Sequence, residues 1–177
     1  MYGATTPTAS GYLVTLNSYD SQLYCYGKGP SQLTVSAPQA SIELGRSFVI
    51  NGYVTDIAEG TKQNEQAARF PNGVPAVSDA SQSQWMEYVY MQKPRPTNTT
   101  GVEVTISVVD ANGNYREIGI TTTVDGTFAL NWKPDIEGQY TVYATFAGTE
   151  SYWPSHATTH PSQSTQQPQH RQQRPHL

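Results

Sequence analysis

Five aromatic residues and one asparagine are the positions whose type and spacing could do chemistry in this chain. Trp85, Tyr88 and Tyr90 crowd into the segment WMEYVY, and Tyr152-Trp153 form a second group. Indole and phenol rings offer flat faces with a polar handle, suited to stacking on a sugar or packing at a protein interface. The same letters also fit a helix stripe, with Trp85, Tyr88, Val89 and Gln92 on one side. In that reading the helix caps the open end of a sandwich and buries Trp85 and Val89. Asn98-Thr99-Thr100 is an N-glycosylation sequon in a polar stretch, which makes Asn98 a glycan acceptor if the chain is exported.

Asp56, Glu59, Asp79, Asp110 and Asp125 are oxygen donors of the kind that hold calcium. Asp110-Ala111-Asn112-Gly113-Asn114 has some EF-hand lettering, but its Gly comes too early and no Glu closes the loop, so a plain turn is expected. His156 and His160 stand at helical spacing, yet the ATT between them and the Pro after them argue against a helix, and no metal site is expected. Cys25 is the lone cysteine; it cannot form an intrachain disulfide and reads as a small buried apolar residue. There is no Gly-x-Ser-x-Gly elbow, phosphate-cradling glycine loop, HExxH or paired-cysteine motif. The carboxylates could pair as in a glycosidase, but nothing selects a pair. The expectation is a non-catalytic chain without a cofactor.

Composition bounds the partners. A formal charge of −4 and the absence of a basic helix or RNA-binding aromatic motif give no reason to expect nucleic acid. The charged fraction is 14%, against ~25% in ordinary soluble domains, and hydroxyls and aromatics fill the difference, as in surface-exposed β modules. After Met1 the letters YGATTPTAS show no signal peptide, and no window approaches the ~20 apolar residues of a membrane span. A fragment of a longer exported protein is the expectation.

The elements that must position these residues are strands. Phe128, Leu130 and Trp132 alternate with polar or small residues, as do Tyr140, Val142, Ala144 and Phe146 after the loop at Pro134–Gly138. Period-two patterning of this kind marks strands buried on one face. Val102, Val104, Ile106 and Val108 repeat the pattern, and Asn112-Gly113 offers the positive φ angles of a tight hairpin into Tyr115–Thr123, with Ile118 and Ile120 on one face. Upstream, Phe48, Ile50, Gly52 and Val54 face one way; before them a first strand is split into Leu33–Val35 and Ile42–Leu44 around Pro38. Residues 56–100 break the pattern and carry a helix at about 80–92, with Ser81 and Gln84 spaced as a capping box. Residues 156–177 read as a disordered Gln/Pro/His tail. The fold expected is an all-β immunoglobulin-like β-sandwich of roughly seven strands with a helix-bearing insertion.

Three stretches carry a family resemblance: YLVTLNSYDSQLYCYGKGPS (Tyr12–Ser31), WMEYVYMQKPRPTN (Trp85–Asn98) and DGTFALNWKPDIEGQYTVYATFAGTESYWPS (Asp125–Ser155). In this order they resemble the C-terminal region of archaeal surface proteins in which a pyrroloquinoline-quinone-type (PQQ-like) β-propeller precedes an immunoglobulin-like domain. The resemblance implies that residues 1–30 are the closing strands of a propeller blade with a linker, that residues 31–155 are the sandwich, and that the location is extracellular. It also implies an N-terminal propeller as partner in the full-length protein, and carries over no cofactor. Tyr140 resembles the tyrosine corner of such domains, and Val142 stands where antibody domains place a cysteine. The function implied is a non-catalytic spacer, stalk or adhesion module. The alternative is a carbohydrate-binding module using the insertion's aromatics, with a cell-surface polysaccharide or protein as partner; a hydrolase stands third.

Overall fold

A computed structural model describes residues 8–9, 12–19, 21–38 and 44–159. Ile42, the histidines His160, His170 and His176, and the tail from Pro161 onward lie outside the described residues.

In chain order the elements are β1 (Thr8–Ala9), β2 (Tyr12–Asn17), β3 (Gln22–Tyr26), β4 (Ser31–Ser36), β5 (Phe48–Asp56), a 3-10 turn (Glu59–Lys62), α1 (Asn64–Arg69), β6 (Val74–Pro75) and α2 (Asp79–Tyr90). They continue with β7 (Glu103–Val109), β8 (Tyr115–Thr122), β9 (Thr127–Trp132), β10 (Thr141–Phe146) and β11 (Ser155–Thr158). The protein is mostly β-sheet, built as a sandwich. One layer holds β5 between β4 on one edge and β9 with β6 on the other; the second runs β11-β10-β7-β8. All these strand pairs are antiparallel.

The alternating residues close the core between the layers. Ile50, Val54 and Phe128 from one sheet meet Val104, Ile106, Val108, Val142, Ala144 and Phe146 from the other, all at 2% exposure or less. Each such side chain contributes about 1.5–3 kcal/mol on leaving water. Trp132 lies in this core, edge-on to Phe48 at 5.4 Å and to Tyr140 at 4.9 Å between ring centroids. No disulfide joins the layers here, since Val142 occupies the core and Cys25 is exposed.

Four expectations are corrected. Ile120 does not share the inner face with Ile118. A bulge falls opposite Ile106/Ser107, so that Gly119 pairs with Ile106 and Glu117 with Ser107. The unpaired Ile118 packs on the core, while Ile120 turns outward at 56% exposure. The hairpin at Asp110–Asn114 uses one positive φ, at Gly113, and is held by the Asp110 carboxylate accepting the N–H groups of Asn112 and Asn114, both at 2.9 Å. The sandwich does not stop at Ser155: β11 pairs with β10 through Thr158, and the Thr159 N–H reaches the Val142 carbonyl at 2.9 Å. Its letters SHAT carry one apolar residue, so no alternation announces it. Cys25 is not buried: β1, β2 and β3 form their own sheet, and among the described residues its side chain is exposed.

That N-terminal sheet leaves Leu16, Leu23 and Tyr26 more than half exposed. It is joined to the sandwich around Trp153, whose Nε1 donates to the Tyr12 hydroxyl at 3.0 Å while the Lys28 ammonium lies 5.3 Å from the ring centroid. Next to this joint, Gly29 and Tyr152 make a parallel bridge, and the Ser31 hydroxyl donates to the Trp153 carbonyl at 2.7 Å.

Candidate functional site

The insertion between β5 and β7 folds as a small body with its own core. Val74, Val77, Trp85 and Val89 are buried together, and Phe70, Met86 and Tyr88 pack on them. Phe70, Trp85 and Tyr88 form a ring cluster with centroids 5.4–6.1 Å apart. The last turn of α2 leaves carbonyls that its own backbone cannot satisfy. Arg69 donates to the Tyr88 and Val89 carbonyls at 3.0 Å each, and Gln66 Nε2 adds a bond to Val89 at 3.2 Å. The Arg69 guanidinium also lies 4.6 Å from the Tyr88 ring centroid.

The helix starts earlier than the capping-box spacing predicts. Ser78 is the N-cap residue and Ser81 sits inside the first turn, where its hydroxyl accepts the Thr100 N–H at 2.9 Å instead of capping. Asp79 ties this end of α2 to the loop before β11, accepting the N–H groups of Glu150 and Ser151 at 3.0 Å each. The insert is thus fastened to both layers: β6 pairs with β5, and Asp79 holds the β10–β11 loop.

The five candidate aromatics do not form one platform. Trp85 and Tyr152 are each 1% exposed, so neither presents a face to a ligand; the first fills the insert core and the second the sandwich core. Tyr88 is half-buried beneath Arg69. Tyr90 is partly open at 39% and Trp153 at 46%, the latter with its Nε1 bonded to Tyr12 and Lys28 over its ring at the joint. Asn98 is exposed in a loop, so its side chain is accessible.

The five carboxylates are dispersed. Glu59 pairs with Lys62, Asp79 and Asp110 accept backbone N–H groups, Asp125 is bridged by Arg95, and Asp56 is buried. Among the described residues, no three His, Cys, Asp or Glu side chains converge as a metal cage.

Asp56 stands apart because it is a 6% exposed carboxylate whose Oδ1 accepts the Ala58 N–H at 2.8 Å. Burial raises its pKa against the pull of that hydrogen bond. Nearby, burial and the Asp56 charge push the Tyr90 phenol up to about 12, and raise that of Tyr152 too. A carboxyl whose folded-state pKa lies above its unfolded one contributes most stability below the unfolded value and loses it as pH rises through the folded one. Asp56→Asn keeps an acceptor for Ala58 and removes the charge. The variant is expected to be at least as stable as wild type at neutral pH, and to gain on it as pH rises above the ordinary carboxylate range, as followed by urea midpoints at a series of pH values. An Asp56→Asn chain that loses ground as pH rises would show the carboxylate to be favourably paired.

A cleft of about 290 Å³ opens between the insert and the outer face of the β5 sheet. Its floor is Tyr53 and Thr55 on the side of β5 facing away from the core, with Thr127 opposite Tyr53 across the ladder. One wall is the loop from Arg69 to Gly73, the other the Asp125-Gly126 turn. That turn has positive φ at both central residues, 51° and 79°, and Val124 and Thr127 exchange hydrogen bonds across it. This is the hairpin geometry favoured by Asp-Gly. Arg95 binds Asp125 Oδ1 from the far end of the insert and lies 5.9 Å from the Trp85 ring centroid.

Comparison with protein-family models, curated proteins and solved structures returned no match. The residues themselves therefore carry the functional reading. Tyr53 is the aromatic that sequence reasoning passed over; it is 42% exposed at an outward position of a strand otherwise read for its inner face. The signals are its alternation with Gly52 and Val54, and the Asp-Gly dipeptide, which marks a tight turn beside it.

Proposed function

We propose that the chain is a non-catalytic cell-surface module, a spacer, stalk or adhesion domain of immunoglobulin-like type that follows a β-propeller. The observation that supports it most is the strand order. Leaving out the two-residue β6 of the insertion, the first, second and fifth sandwich strands (β4, β5, β9) share one sheet, and the fourth, third, sixth and seventh (β8, β7, β10, β11) share the other in that order. Immunoglobulin-like domains distribute their strands similarly, except that the constant type puts the fourth beside the fifth; here β8 pairs with β7. Tyr140 fits the same reading, since its hydroxyl donates to the Ile136 carbonyl at 3.1 Å, a few residues upstream.

The sheet of β1, β2 and β3 is consistent with the end of a propeller blade. A small sheet is marginal alone in water, and this one exposes Leu16 and Leu23 opposite each other. As a spacer the module works by stiffness: two clamped bodies hold whatever precedes them at a fixed distance and angle. The test is to label intact source cells with a membrane-impermeant reagent and an antibody to this chain. Surface labelling, with faster gel migration of Asn98→Gln than of wild type, is expected. Labelling that appears only after lysis would sink the reading.

A further inference from the structure

We propose that the cleft over Tyr53 is a saccharide subsite, taking one pyranose ring of a neutral glycan whose neighbouring units lie along the outer face of the β5 sheet. This goes beyond the spacer reading and does not rest on it.

A pyranose has an apolar C–H face and a rim of hydroxyls. The cleft offers the complement of both. Tyr53, 42% exposed, lines the floor, and an aromatic ring stacks on such a C–H surface. Thr55, Thr127, Asn72 and Asp125 also line the cleft, and their side chains are of the neutral or anionic kinds that exchange hydrogen bonds with sugar hydroxyls. Arg95 pairs with Asp125 on one wall as an exposed ion pair. The volume of about 290 Å³ sits at the lower edge of the ~300–1,000 Å³ of small-molecule sites, which limits the cleft to a single ring.

Charge decides what kind of glycan. The outward positions of β4, β5 and β9 include Gln32, Thr34, Asn51 and Asn131, and none of the outward positions on these strands is charged. The cation in the cleft wall, Arg69, is already bound to the Tyr88 and Val89 carbonyls. An anionic polysaccharide or a phosphate ester would find no uncommitted cation among the lining residues, whereas a neutral chain crosses a face of amides and hydroxyls.

The test is an NMR titration of the ¹⁵N-labelled full chain with methyl glycosides of glucose, galactose, mannose and N-acetylglucosamine. Amide shifts clustered on Gly73, Gly126 and Thr127 are expected for at least one of them, with a Kd on the order of 1 mM for a single ring. Tyr53→Ala should weaken that binding at least about tenfold with the fold retained, since Tyr53 is not part of the buried core; alanine in a central strand should lower the melting temperature only modestly. Asn72→Ala, in an exposed loop, should weaken it by a smaller factor and serves if the first variant folds poorly. No shift with any of the four sugars, or shifts that survive both substitutions, overturns the proposal. Retention on insoluble neutral glycans lost in Tyr53→Ala but kept in Tyr90→Ala would support it and separate this cleft from the insert's other aromatics.

Discussion

Trp85→Ala is expected to cost about 3–5 kcal/mol of stability, the loss typical of deleting a buried indole from a packed core. At 1% exposure Trp85 is the largest side chain of the insert's core, and its removal leaves Phe70, Tyr88, Val74 and Val89 around a void. The damage should not stay local. Val74 pairs with Asp56, and the Ala76 N–H bonds the Val54 carbonyl at 3.0 Å, so a loosened insert strips the edge of β5. At the other side it frees the Asp79 contact to Glu150 and Ser151. Urea unfolding should therefore show one transition at a lower midpoint rather than a separate early step. Trp85→Phe should cost less than Trp85→Ala, because it keeps a ring and leaves a smaller void; among the described residues the indole Nε1 has no hydrogen-bond partner to lose. A Trp85→Ala chain with an unchanged midpoint but lost polysaccharide retention would reverse the assignment and make Trp85 a stacking residue.

The contrast between Trp85 and Tyr53 shows where the sequence is legible. Strands β7, β9 and β10 are plain in the letters because each alternates large apolar residues with polar ones, and the sandwich requires that period. The stripe of Trp85 and Val89 is equally plain, and it turns inward because β6 and the Phe70 loop supply a second surface to bury against. Inner faces are written in the sequence; outer faces are not. Tyr53 gains its role only when the Arg69–Gly73 loop folds over Thr55, a contact between segments with no shared period. The bulge at Ile118 and the polar strand β11 escape for a related reason. One extra residue reverses an alternation, and a strand carried by its backbone bonds needs none. Helix α1, NEQAAR, is short and mostly polar, held by what Gln66 and Arg69 bind rather than by an apolar face.

The same distinction gives Gly52 its importance. Within the alternation of Phe48, Ile50 and Val54, a glycine looks like a gap in the inner face, and glycine in a strand interior is ordinarily a weakness. The packing gives it a reason. Gly52 lies on β5 opposite Val35 on one side and Phe128 on the other. A Cβ there would overlap the Thr34 carbonyl oxygen and come within 2.6 Å of Phe128 Cζ. Neither obstacle yields easily. Phe128 is 1% exposed and wedged in the core, and the Thr34 carbonyl belongs to the backbone of a paired strand. Inserting carbon into a filled core commonly costs about 1–3 kcal/mol and occasionally more. With a backbone group in the way, Gly52→Ala is expected at the upper end, about 3 kcal/mol or beyond, read as a fall in the urea midpoint and in soluble yield. Shrinking the ring in Gly52→Ala/Phe128→Leu should relieve only the side-chain half of the clash, so the double variant should stay less stable than Phe128→Leu alone. Alanine's smaller backbone entropy loss works the other way, by roughly 0.5–1 kcal/mol. If Gly52→Ala were as stable as wild type, that smaller term would have won, and β4 would have to lie farther from β5 than the pairing of Val35 with Gly52 requires.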